Sequence, residues 1–149
     1  MGGETLFEKI ISGEISCHKV SEGESWFAFL DIFPRREGHT LVVPKRGVKH
    51  ISKLSDNEVS ELFVGLKCVQ SILSDYFNTE DFTVCIHDGE KAGQEVPHVH
   101  IHVMPRTPGD GGLTLMSMWP NTKNTAGEAD HESLGILASK LRGDFIETS

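Results

Sequence analysis

Apolar positions change their spacing several times along this chain, and each change marks an element. In LFEKIIS (Leu6 to Ser12) they recur at helical intervals and stop at Gly13, which predicts a short helix. HKVSEGESWFAFL predicts two short strands around a turn at Glu22 to Glu24. A loop bracketed by Pro34 and Gly38 leads into HTLVVP (His39 to Pro44), a β-rich run ended by proline. Val59, Leu62, Phe63, Leu66, Val69, Leu73, Tyr76 and Phe77 then recur every three or four residues and predict the longest helix. Ser55 followed three residues later by Glu58 is a capping-box start for it. FTVCIH (Phe82 to His87) and HVHIHVMP (His98 to Pro105) predict two more strands, separated by the polar loop DGEKAGQEVP.

Beyond Arg106 the chain becomes turn-rich in TPGDGG and PNTKNTAGEAD, which flank the apolar LTLMSMW. A last helix is expected from about Asp130 to Leu141, with Leu134, Leu137 and Leu141 on one face and Gly143 at the C-terminal cap position. The shift divides the chain into a domain over residues 1–110 and an extension over 111–149, expected to pack on that domain or on a dimer partner. Helices and strands mix without a βαβ rhythm, so the fold class is α+β with an antiparallel sheet.

Composition narrows what such a domain can do. With 149 residues the chain is the length of one ordinary domain, and 38% apolar content supplies a core. Lys and Arg number 14 against 22 Asp and Glu, a net charge of −8. That balance argues against broad nucleic-acid or anionic-membrane binding, but not against a small phosphorylated ligand in a local pocket. Cys17, Cys68 and Cys85 are odd in number and widely spaced, which favours a reducing compartment over a disulfide framework. MGGETLFEKI lacks the pattern of a secretory leader, and Leu6 breaks the myristoylation pattern, so the cytosol, with access to a nucleus, is the expected location.

Eight histidines are the unusual feature, because three fall within five positions. On a strand His98, His100 and His102 share one face, about 7 Å per step, while Val99, Ile101 and Val103 face the core. Such a ladder suits either a transition metal or nucleophilic and acid–base chemistry at phosphorus. The preceding loop favours the second, since Gly89 and Gly93 let backbone amides approach an anion and Gln94 adds a side-chain donor.

HVHIHVMPR resembles the signature of the histidine triad family, His-φ-His-φ-His-φ-φ with φ apolar, and AGQEVP resembles that family's phosphate loop. FEKIISGEI, FLDIFP and GHTLVVPK resemble further family blocks in the right order, so the likeness covers roughly residues 5 to 110, closest to the Hint-like, bacterial-type branch. The resemblance implies a five-stranded sheet with one long and one short helix, and a homodimer joining two such sheets. It implies an enzyme with no cofactor or metal that cleaves at a nucleoside α-phosphate through a nucleotidyl-histidine. An adenosine 5′-monophosphoramidate-type substrate comes first; a diadenosine polyphosphate hydrolase or a nucleotide-binding scaffold with little turnover are the alternatives. The partner implied is a small purine nucleotide such as AMP or GMP.

Carried over by position, His100 is the nucleophile, and His102 contacts the phosphate and favours the developing charge when protonated. His98 pairs with His39 to orient or relay protons. Asp31 and Ile32 line the nucleoside site, the carboxylate gripping ribose hydroxyls. Phe7, Ile10, Phe29 and Leu41 fit the base pocket, and Gly93, Gln94, Glu95 and Val96 the phosphate loop.

Three departures from the family pattern involve four positions. His87 replaces the usual Asn or Gln at the start of the phosphate loop, and one neutral imidazole cannot mimic both ends of an amide. Glu95 stands where Ser or Thr is common, its amide still able to face phosphate and its carboxylate expected to point away. Thr5 and Glu8 occupy the positions of a cysteine pair that holds zinc in some members, which argues against structural zinc and leaves His50 an ordinary surface histidine. His18 and His131 read as solvated, as do Lys45 and Arg46. Trp119 lies in a divergent tail, where some branches place a tryptophan near the partner's active site.

Overall fold

Trp26, Phe27, Ala28 and Phe29 are consecutive and all buried, which a strand allows only when both faces of its sheet are covered. A computed structural model of the chain, describing residues 3–121 and 129–147, shows how. The elements are α1 (Leu6–Ile11), β1 (Lys19–Glu22), β2 (Trp26–Leu30), β3 (Thr40–Pro44), α2 (Asp56–Phe77), β4 (Phe82–Cys85), β5 (Ile101–Pro105) and α3 (His131–Arg142). The five strands form one antiparallel sheet in the order β1-β2-β3-β5-β4, so the α+β class holds. Helix α2 covers one face, where Leu62, Leu66, Val69 and Leu73 meet Trp26, Ala28, Val42, Val99, Ile101 and Val103. On the other face Phe7 of α1 packs with Phe27, Phe29, Leu41 and Val43. Because α1 is only six residues long, that face is closed over β2 and β3 and left open beside β5.

Helix α2 begins as its sequence says: the Ser55 side chain accepts from the Glu58 amide and Glu58 from the Ser55 amide. Its apolar stripe is narrower than the periodicity predicts. Phe63 sits about 100° around the axis from Leu62 and is exposed, while Tyr76 in the last turn is exposed and edge-on to Phe77. Gly65 joins the stripe instead, since a Cβ there would meet the Trp26 ring at 2.5 Å.

Two strands are shorter than expected. β4 stops at Cys85, leaving Ile86 and His87 off the ladder. β5 starts at Ile101, because the Val99 N–H donates to the Val48 carbonyl and that of His98 turns back to Val96, not to a neighbouring strand. The alternation of side chains persists across His98 to Val103 all the same.

The chain forms two compact units, residues 1–112 and 113–149. In the second, Asp130 caps α3 through the Ser133 amide and Gly143 ends it at φ +83°. Leu134, Leu137, Leu141 and Trp119 are exposed. Of the turn-rich PNTKNTAGEAD stretch, residues 122–128 lie outside the described residues. Among the described residues no helix is long and apolar enough to cross a membrane.

Candidate active site

Carbonyl oxygens only accept hydrogen bonds, and that fixes the protons of the histidine ladder. His98 Nε2 lies 2.7 Å from the Pro44 carbonyl and therefore carries the hydrogen. Its Nδ1 is then an acceptor, and the Thr5 hydroxyl donates to it at 2.6 Å. His100 Nδ1 lies 2.7 Å from the His98 carbonyl, so that nitrogen carries the proton and Nε2 keeps its lone pair. His98 is fully buried and His100 nearly so, both edge-on to the Phe7 ring. The ladder thus presents one imidazole bonded at both nitrogens and a second whose Nε2 lone pair is unbonded.

The expected pairing of His98 with His39 is not what the structure shows. Both ring nitrogens of His98 are occupied by Thr5 and Pro44, and His39 pairs with His102 instead, Nε2 to Nδ1 at 2.9 Å. The Arg35 backbone N–H donates to His39 Nδ1 at 3.1 Å, so neutral His39 carries its hydrogen on Nε2 and donates it to His102. His102 in turn carries its hydrogen on Nε2. The Asp31 carboxylate stands 3.6 Å from His39 Nε2, while its other oxygen accepts the Phe33 N–H.

Burial governs the charge of these rings. It holds His39, His98 and His100 below the usual imidazole range, with Asp31 opposing the shift at His39 and the His98 carbonyl opposing it at His100. His102 falls to about 4 through burial first and then through His100, His39 and His87. It is therefore neutral at pH 7 in the free protein, and its Nε2–H offers one hydrogen bond.

Two adjoining pockets meet at His100, His102, Asp31, Phe33 and Glu95. The apolar one brings together Phe7, Ile10, Phe29, Leu41, Ile32 and Val96, the residues assigned to base and nucleoside, with Ile32 exposed at the rim. The second holds about 270 Å³ and adds His39, His87, Gly93, Cys85, Met104 and Arg35. Thr5, Arg35, Phe33, Cys85 and Met104 were not singled out as site residues from sequence. Thr5 carried a signal, since T-x-x-E is a capping box, and Thr5 with Glu8 forms one at α1.

The loop before the ladder supplies less side chain and more backbone than expected. Gln94 is buried and donates Nε2 to the Lys49 carbonyl at 2.8 Å, lining neither pocket. The Gly93 and Gln94 amides close their own turn on Glu90 and Gly89, which Gly89 and Gly93 permit at φ +104° and +97°. Among the described residues the Glu95 and Val96 N–H groups have no acceptor and stand free beside His100. Glu95 lines both pockets, and its charge favours protonation of His100. The His87 ring lies 5.4 Å from that of His102, tilted by 43°, with Nδ1 near the Gly93 carbonyl at 3.4 Å. His50 packs over Gly89, and His18 and His131 are exposed. Three-histidine zinc ligation does not fit, since His98 has no nitrogen to spare.

The HIT domain family model matches residues 12–109. Protein hit of Bacillus subtilis is 38% identical over 137 residues, 91% of this chain and 90% of that one. A bis(5′-adenosyl)-triphosphatase of Dictyostelium discoideum is 40% identical over 80 residues, 54% of this chain and 54% of that one. A crystal structure of a HIT family protein from Bacillus anthracis superposes with a TM-score of 0.80 at 34% identity, covering 98% of this chain and 100% of that one. With its triad, open sheet face and paired pockets all lying within the matched region or on the helix beside it, the chain belongs to the histidine triad family.

Proposed function

We propose that this protein hydrolyses nucleotides at the α-phosphate through a covalent nucleotidyl-His100 intermediate, with a nucleoside 5′-monophosphoramidate as the simplest substrate. The observation that carries the reading is the His100 Nδ1–H to His98 carbonyl bond, which leaves the Nε2 lone pair free in a pocket that adjoins an apolar nucleoside slot. Nε2 attacks the α-phosphorus, the phosphorus–nitrogen bond of the substrate breaks, and the amine leaves with the electron pair and takes up a proton from water. Water then cleaves the phospho-histidine bond, releasing the nucleoside monophosphate and restoring the imidazole. His102 Nε2–H and the Glu95 and Val96 amides bind phosphoryl oxygens, and the His98 carbonyl stabilises the proton on Nδ1 as charge develops. The purine sits against Phe7, Ile10, Phe29 and Leu41. Quenching the protein during turnover of adenosine 5′-monophosphoramidate is expected to give an acid-labile, base-stable adenylyl adduct on the His100 peptide. No adduct during measurable turnover, or one mapped elsewhere, overturns the assignment.

A second reading, hydrolysis of dinucleoside polyphosphates, is favoured by one observation, a cationic residue, Arg35, on the pocket next to the triad. The relative from Dictyostelium discoideum bears the name of such an enzyme. The same family reading carries a homodimer. Strand β4 is an edge of the sheet with one open side, a ready seam for a second copy. Light scattering is expected to return twice the 16.5 kDa chain mass; a monomer at micromolar concentration refutes the dimer.

A further inference from the structure

Arg35 and Arg36 are neighbours with opposite fates. Arg36 is spent on structure: its guanidinium grips Asp110 and reaches Thr107 Oγ1 at 3.3 Å. Asp110 is itself clamped, accepting from Arg106 and from the Thr107 and Gly112 amides. That knot pins the loop running from Asp31 to Gly38. Arg35 is left at the rim, exposed and lining the pocket, and among the described residues it enters no ion pair. Only its backbone N–H is committed, to His39.

The charges around this pocket give that freedom a purpose. Asp31 and Glu95 both line it and repel anions, while burial keeps the triad rings and His39 neutral at pH 7. Arg35 is the one arginine or lysine among the described residues lining it, and its charge acts on His39. A single phosphoryl group can be held by amides and imidazole N–H groups. A leaving group carrying two or three further phosphates brings charges that these neutral donors beside two carboxylates do not balance. A guanidinium presents a planar fork that matches phosphate oxygens.

We propose that Arg35 is the specificity-determining residue for an anionic polyphosphate leaving group, binding its phosphates as they depart from the nucleotide held on His100. The proposal rests on the hydrolase reading above and deepens it; it selects among leaving groups and takes no part in the attack.

Wild type, Arg35→Gln and Arg35→Lys are compared in two measurements. One is kcat/KM for diadenosine tetraphosphate divided by kcat/KM for adenosine 5′-monophosphoramidate; the other is the calorimetric Kd for inorganic tripolyphosphate. In Arg35→Gln the ratio is expected to fall about tenfold and tripolyphosphate to bind about tenfold more weakly, as the loss of one charge-assisted contact implies. Arg35→Lys is expected to recover part of both. Either quantity unchanged in Arg35→Gln overturns the proposal. If wild type turns over neither nucleotide, the hydrolase reading fails, and the tripolyphosphate affinities alone decide the role of Arg35. Equal urea midpoints for the three proteins confirm that the exposed side chain was removed without disturbing the His39 contact.

Discussion

Replacing His100 by Asn is expected to lower phosphoramidate turnover by at least about 10⁴-fold, because the proposed attacking lone pair is removed. Asn is small enough for the space beside Phe7 and can still donate to the His98 carbonyl, so the backbone of the ladder keeps its partner. Nucleotide binding is expected to survive, since the apolar slot is built largely from Phe7, Ile10, Phe29 and Leu41. Steady-state turnover together with AMP affinity for wild type and His100→Asn checks the pair. Residual turnover above about 1% of wild type refutes nucleophilic attack by His100, given the losses seen on deleting a nucleophile. A second signature follows from charge. Burial holds the His100 imidazole below its usual range, so the acid limb of kcat/KM is expected below that of an ordinary histidine.

Much of this was legible in the sequence, and the rest fails for reasons of distance. The capping box at Ser55 and Glu58, the stripe of Leu62, Leu66, Val69 and Leu73, and the alternation of His98 to Val103 all depend on neighbours within a few positions. Periodicity reports such neighbours directly. Phe63 and Tyr76 were assigned to the buried face because spacing gives an angle but not the width of the sheet that meets it. The partners of His98 are Thr5, 93 residues away, and Pro44, 54 away, and no local pattern encodes either. Gln94 illustrates the opposite error: its amide is a suitable phosphate donor by type, but the Lys49 carbonyl claims it first. Arg35 and Arg36 are adjacent and alike in type, and only the fold shows that Asp110 takes Arg36 and leaves Arg35. Chemistry by residue type was therefore readable, whereas the allocation of hydrogen bonds among competing partners was not.

That allocation has a consequence for stability that is expected to appear on mild acidification. His39, His98, His100 and His102 are all held below the ordinary value of 6.5, His102 at about 4, because burial penalises the charged ring. In the unfolded chain each takes a proton near pH 6.5, while in the folded protein each stays neutral to lower pH. The unfolded state then binds more protons, so stability rises with pH in this interval. The histidine contribution is fully present above pH 6.5 and is lost as pH falls from there toward 4. Each ring sets a ceiling of about 1.4 kcal/mol per pH unit. Solvent reaches His102 and screens part of its shift, so the loss between pH 7 and pH 5 is expected to stay well under that ceiling for four groups. Carboxylates do not produce the same window. Glu58, held at about 2 by Arg46, and Asp110, held low by Arg106, lose their stabilising charge only at lower pH. Urea midpoints at pH 7.5, 6.5, 5.5 and 5.0 separate the two classes. A midpoint that stays level down to pH 5 refutes the neutral, buried state of the histidines. A steady fall beginning near pH 6.5, shallower in His102→Asn, shows that the uncharged rings of the candidate site are the ones that make the fold sensitive to acid.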